Sequence, residues 1–438
     1  MASFFKSRKT GLVERATLTV LLTGTLALSG CVGTSRQAQK PARPTQKAAS
    51  SQPLYDAGLP PEGTSARPME AAPGQDFSAG TASIRAGGST IGNGPVKVAL
   101  LLPLSGSPQG AAVAQNMRNA AELAIGEFQG SDLTLLVKDD GGTPEGAREA
   151  AQQALAEGAE LILGPLFAGS VQAAGQVARQ AGKPLIGFSS DRGAATRGVY
   201  LMSFMVQSEV DRIIAYAASQ NRRSVAALIP NTAYGSVAEA QLRAAAAENG
   251  VRIVSIERYP AGQPHDAVQR LGPVIGGASP RVDALFIPDN GDGLPAVAQA
   301  LQAARFDGQR VKPLGTGVWD EARVFGLPAL QGGWFAAPDK RGFMEFAARY
   351  RARFNGDPVR LASLSYDAVT LAAALARIQG PQAFNDSVLT NGAGFAGADG
   401  VFRFNPNGTN DRALTVQEVR GGAAAVISTA PRSLLASN

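Results

Sequence analysis

A few residues in this 438-residue chain carry side chains that could do covalent or acid–base chemistry, and each meets an obstacle. The single histidine, His265, cannot build a multi-histidine metal site, and it excludes the paired-histidine signature of zinc proteases. Its setting, PHDAVQ, reads as an exposed helix start. Asp139 and Asp140 are adjacent at the end of a strand pattern, so their side chains point in opposite directions, and a solvated loop start is expected there. The run Gly182–Lys183–Pro184 resembles the end of a phosphate loop, but it lacks the earlier glycine, and Pro184 stands where a serine or threonine must be. GAGFAG, from Gly392 to Gly397, has the spacing of a dinucleotide loop yet precedes a strand rather than a helix. The amide-lined helix start that receives a pyrophosphate is therefore missing, and a turn-rich loop is expected. No GxSxG nucleophile elbow occurs. Nothing sets a nucleophile beside a base, so the chain reads as non-enzymatic, with no catalytic residue, no metal and no cofactor.

The only cysteine, Cys31, closes the stretch LSGC. Ahead of it, Lys6, Arg8, Lys9 and Arg15 outweigh Glu14, and Ala16 to Leu28 is an apolar run of about 13 residues. A bilayer span needs roughly 20, so residues 1–30 read as an export signal. An aliphatic residue, two small ones and a cysteine match the bacterial lipobox, which implies that Cys31 carries lipid at the mature N-terminus. A lone cysteine also means that no disulfide holds the fold. The net charge of +6 falls to about +3 without the export segment, and no basic cluster with interleaved aromatics suggests nucleic-acid binding.

From Val32 to about Pro95 the chain is rich in Pro, Gly, Ser, Ala and Gln and shows no period of 2 or 3.6. It buries too little to offset its ordering entropy, and a disordered tether is expected over residues 31–95. Such a coil has an r.m.s. span of roughly 40–50 Å, and taut it reaches on the order of 200 Å.

After Pro95, apolar strands alternate with helices. VKVALLLPL reads as a strand covered on both faces, followed by strands at Leu133–Asp140, Glu160–Leu166 and Lys183–Ser190 with helices between them. A second series begins near Ser208 and places strands at 224–230, 251–259, 283–289 and 311–317. The spacing predicts βαβ units with parallel sheets. The break at Arg197–Glu209 predicts two doubly wound lobes rather than one closed barrel. Two further helices, Arg341–Phe354 and Leu361–Ile378, precede short antiparallel strands between Gly400 and Ser428, and the last residues read as frayed.

VALLLPLSG on the first strand, ILGPL on the third, Tyr234-Gly235 after SVAALIP, SYDAVTLAAAL, and the GVFRFNPNG run follow one another in a telling order. Over about 95–430 they resemble the leucine-binding-protein family, the type 1 periplasmic binding proteins. The resemblance implies a clamshell crossed three times by the chain, with an N-lobe of about 96–207 and 338–395 and a C-lobe of about 208–337 and 396–430. It also implies ligand-gripping hydroxyls at the position separated from the Gly-Pro pair by two residues, and after the fourth strand. Ala168 occupies the first position, with Ser170 two places later; Ser189 and Ser190 stand at the second, and the family's threonine is displaced. Ser105, Ser170, Ser189, Ser190, Tyr234 and Asp289 are the candidate ligand contacts. Each also has a structural role open to it, Ser170 for instance as a helix N-cap.

The leucine-rich first strand is most similar to a branch of this fold, the penicillin-binding protein activators, lipoproteins that stimulate peptidoglycan synthases by contact. On that resemblance the partner is a penicillin-binding protein, and the chain is held by lipid in the periplasm, at the outer membrane. The alternative is a receptor that delivers an amino acid or related small polar ligand to an ABC permease. The long tether favours the first.

Overall fold

The computed structural model describes residues 89–128 and 132–435. The export signal, Cys31 and nearly all of the tether lie outside the described residues.

The first sheet is built in the order β1 (Ser89–Gly92), β2 (Val96–Leu102), α1 (Pro108–Glu127), β3 (Leu133–Asp139), α2 (Pro144–Ala156), β4 (Leu161–Leu163), α3 (Ala168–Gln180), β5 (Leu185–Gly187) and β6 (Val199–Leu201). Its strand order is β1-β3-β2-β4-β5-β6. Every pairing is parallel except that of β1 with β3. The second sheet takes α4 (Val206–Ser219), β7 (Ser224–Pro230), α5 (Ala233–Glu248), β8 (Arg252–Tyr259), α6 (His265–Ile275), β9 (Ala284–Phe286), α7 (Leu294–Ala303), β10 (Lys312–Gly315), α8 (Ala322–Phe325) and β11 (Trp334–Ala337). The chain then adds α9 (Lys340–Phe354) and α10 (Ala362–Gln379) to the first lobe. A small sheet follows, β12 (Phe395–Gly397), β13 (Gly400–Phe404) and β14 (Asn410–Arg412), before β15 (Thr415–Arg420) and β16 (Ala423–Ser428) complete the seven-stranded sheet of the second lobe.

Local chemistry explains the boundaries. Ser107, Thr143 and Thr232 each cap a helix by accepting a bond from the amide three residues on, and Pro108 and Pro144 sit where no amide donor is needed. In β2, Val98 to Leu102 are all fully buried, because helices cover both faces of a parallel sheet. Helices α1 and α10 press Met117, Ala121, Leu364 and Val369 onto one face; α2 and α3 bring the small residues Ala147, Ala151, Ala174 and Ala178 to the other.

The lobes are joined where the chain passes at Ser203–Met205, Ala337–Lys340 and Arg412–Leu414. These passages are tied together. Asn410 Nδ2 donates to Ser203 O (3.0 Å), and Thr415 Oγ1 donates to Ala337 O (2.8 Å). The guanidinium carbons of Arg360 and Arg412 lie 4.8 and 5.1 Å from the centre of the Phe204 ring. Asp399, fully buried, pairs with Arg360 and accepts from Ser363 Oγ (2.5 Å), while Asp367 Oδ1 accepts from Ala398 N (2.7 Å). Lys340 reaches back to Asp320 of the second lobe in an ion pair.

Two expectations need correction. Ser89–Gly92 falls inside the expected tether yet forms β1, antiparallel to β3. Backbone bonds to an open strand edge require no apolar period, so composition alone hid it. Residues 396–412 belong to the first lobe rather than the second: Phe402 and Phe404 join its core beside Tyr200, and Leu201 N donates to Gly408 O (2.8 Å). A hairpin's alternation reports its own pairing but not the lobe it docks on. Near the C-terminus Arg403 Nη1 donates to Leu434 O (2.6 Å), and residues 436–438, expected to fray, lie outside the described residues.

Gly408 makes that docking possible. Its φ is +87°, and a Cβ there would stand 2.2 Å from Val199 O. Gly408→Ala should cost at least about 2 kcal/mol in denaturant unfolding, whereas Gly262→Ala, at φ +74° in open space, should cost about 1.

Candidate functional site

In parallel sheets the carboxyl ends of the strands, with the helix starts that follow, form the binding edge. In the first lobe the expected serines gather there. Ser105, exposed in the turn after β2, donates its amide to Asp139 Oδ1 (3.1 Å). Ser189 and Ser190 are buried directly after β5, and Ser189 Oγ accepts from Asp191 N (3.1 Å). Ser170 is not an N-cap. It is the third residue of α3, whose cap position is held by Phe167 without a side-chain bond. Ser170 is 1% exposed, and its Oγ finds no partner among the protein's groups. The start of α3 thus keeps its amides and the positive end of its dipole uncapped by a side chain.

Asp139 and Asp140 part as their alternation requires, but Asp140 is 1% exposed, not solvated. The β3–α2 turn folds over it, with Gly142 N donating to Oδ1 (2.8 Å), and Oδ2 has no partner. Burial, with Asp139 alongside, pushes the Asp140 carboxyl up to about 7. Bonds from Ser105 and Gly141 outweigh the partial burial of Asp139 and hold its carboxyl below the usual range.

The second lobe presents a different wall. Tyr234, at the start of α5, shares a 2.6 Å bond between its hydroxyl and Thr316 Oγ1 in the turn after β10. Asp289, beyond β9, accepts from Tyr259 Oη (2.6 Å) on one oxygen and from Asn290 N (2.8 Å) on the other. Burial raises the Asp289 carboxyl despite those two bonds. Glu209, 2% exposed in the first turn of α4, accepts from Gly317 N (2.9 Å). Burial, with Glu209 and Asp289 close by, drives the Tyr234 hydroxyl well above its ordinary range. Tyr234 and Asp289 are therefore brought together, and Glu209, Thr316 and Tyr259 complete a group that sequence reasoning missed. Glu209 lies on an ordinary amphipathic helix and Tyr259 ends a charged strand, so neither carried a local signal.

The remaining motifs have no counterpart at this edge. His265 is exposed at the start of α6, its Nε2 2.9 Å from Gln269 Nε2, and residues 392–397 are a loop running into β12. Among the described residues no three His, Cys, Asp or Glu side chains gather to hold a metal ion.

A family model described as periplasmic binding protein matches residues 95–424. None of the curated proteins matches the chain. Solved structures share the fold. One is a branched-chain amino acid ABC transporter periplasmic ligand-binding protein from Burkholderia xenovorans, 16% identical, TM-score 0.62, covering 78% of this chain and 97% of that one. A branched-chain amino acid transporter substrate-binding protein from Streptococcus pneumoniae, in complex with isoleucine, is 19% identical with TM-score 0.53, covering 77% and 99%. A solute-binding protein of an ABC transporter from Rhodopseudomonas palustris, in complex with 3,4-dihydroxybenzoic acid, is 22% identical with TM-score 0.55, covering 78% and 98%.

The raised Asp140 carboxyl has a thermodynamic consequence. Between about pH 4 and 7 the folded chain holds a proton that the unfolded chain releases, so this group's contribution to stability falls as pH rises through that window. Asp140→Asn keeps the acceptor for Gly142 and removes the buried charge. Chemical denaturation should find the variant more stable than the parent at pH 8, by as much as about 4 kcal/mol, with the difference vanishing near pH 4.

Proposed function

The chain belongs to the periplasmic binding protein family, and from that membership we propose that it is a non-enzymatic, lipid-anchored envelope protein that supports peptidoglycan synthesis by contact with a penicillin-binding protein. The carrying observation is the closed bonding of the second-lobe wall. Tyr234 bonds Thr316, Tyr259 bonds Asp289, and Glu209 bonds Gly317 N. A ligand's ammonium or hydroxyl would have to break these bonds to form its own, and an exchange of like bonds yields little net free energy. The third residue after Gly164-Pro165 is Ala168, which has no hydroxyl to grip with. A clamshell bonded to itself in this way suits a scaffold whose outer surface is the working part. The tether, with Cys31 at its start, would give such a scaffold reach from the outer membrane toward a synthase on the other side of the wall.

Purified chain should be retained by a penicillin-binding protein of the same bacterium and should raise its glycan-synthesis rate. Absence of both retention and stimulation overturns this reading. Removing about 40 residues of the tether should abolish function in cells while leaving the melting temperature unchanged.

A second reading, a receptor feeding an ABC permease, is favoured by the first lobe. The start of α3 lacks a side-chain cap, Ser170 Oγ is buried without a protein partner, and Ser189 and Ser190 stand at the neighbouring strand end. Such a corner suits a carboxylate, as in an amino acid. In a thermal-shift series of amino acids and small carboxylates, a true ligand at 100 times its Kd adds about 2.7 kcal/mol. A flat series excludes this reading and leaves the first intact.

A further inference from the structure

Beyond the three covalent passages, the chain crosses between the lobes once more. It leaves the second lobe at Ser428, the end of β16, and finishes on the first. At the near end Arg212 of α4 donates through Nη2 to Ser428 Oγ (2.7 Å) and to Thr429 O (3.4 Å). At the far end Arg403 of β13 donates through Nη1 to Leu434 O (2.6 Å). Arg403 is itself aimed by Asp411 of β14, with an ion pair of 2.8 Å. Leu435 lies over the loop at Gly392, where an added Cβ would stand 3.5 Å from its Cδ2.

Between those anchors the segment does not sink into a core. Residues 429–432 line a cavity of about 660 Å³. The rest of its lining includes Asp339 and Gly342, where the second passage enters α9, Ala413 in the third passage, and Gly397 and Gly400 of the small sheet. The segment is thus a bridge fastened at its ends, lying beside two of the three passages about which the lobes must turn.

We propose that residues 429–435 form a releasable strap that limits how far the lobes rotate about their three passages. Two physical features fit the role. Six residues from Ser428 to Leu434 span at most about 20–22 Å when fully extended, so the two anchor points cannot separate further while both hold. The far anchor rests on one charge-assisted bond near the surface, which water can replace, whereas the passages themselves are covalent. Pro431 fixes one φ angle and shortens the slack. Strap fastened and strap released are two discrete states of the kind that domain hinges use.

Electron–electron double resonance reads this directly. Gln152 on α2 and Glu248 at the end of α5 are exposed, one on each lobe. A full chain carrying Cys31→Ser, Gln152→Cys and Glu248→Cys takes one spin label on each. Arg403→Gln and, separately, a stop after Ser428 should each broaden the distance distribution by several ångströms. Arg351→Gln, which removes an exposed arginine of the same lobe paired with Asp357 and leaves Arg403 and Asp411 intact, should keep the narrower distribution. Circular dichroism establishes that each variant is folded. If the shortened chain fails to fold, Arg403→Gln alone decides. An unchanged distribution in folded Arg403→Gln overturns the strap, as does equal broadening by Arg351→Gln.

Discussion

At the junction of the two lobes sits one phenyl ring with guanidinium groups around it. Phe204 sits in the first passage between lobes, with Arg360 and Arg412 against it. Arg412 closes the strand that leads into the third passage and is only 6% exposed. A buried guanidinium is tolerated only with compensation, and Asp399 and Asp367 supply it. Those carboxylates fasten the β12–β13 turn to α10 through Ser363 and Ala398 N. Asp367 bears a cost for this, since burial and the neighbouring Asp399 raise its carboxyl. Past the third passage β15 pairs with β11 across Ala337 and Thr415, and the second-lobe wall is built on that sheet.

The two binding edges differ in kind. On the first lobe the start of α3 remains uncapped by a side chain and Ser170 Oγ is unspent. On the second lobe every group sequence reasoning pointed to is bonded within the wall. The same fold therefore offers one edge suited to an anion and one edge closed upon itself. Solved neighbours hold isoleucine or 3,4-dihydroxybenzoic acid in this fold. At 19% and 22% identity they inform the architecture, and the side chains at the two edges of this chain must be read on their own terms.

Much of the architecture was readable from apolar periodicity because the parallel strands are buried on both faces. VKVALLL, apolar but for Lys97, reads as a core strand and is one. What escaped the reading depends on backbone or on distant partners. β1 is a four-residue edge strand defined by its neighbour. The lobe allegiance of residues 396–412 is decided by Phe404 meeting Tyr200, with Phe395 and Phe402 packed against Phe404, and by Gly408 meeting Val199, contacts between remote segments. The serines and Tyr234 were legible through resemblance, but their bonding was not. Asp140 looked like a loop residue until a turn of glycines was seen to fold over it.

On the proposed function, a second-lobe wall satisfied by its own bonds lets the protein work without a tightly held small molecule. Native mass spectrometry of the freshly purified protein tests this most directly. The account predicts a single species at the mass of the bare chain, unaltered by gentle or harsh activation. A stoichiometric adduct of small-molecule mass, shed only on activation, would contradict it.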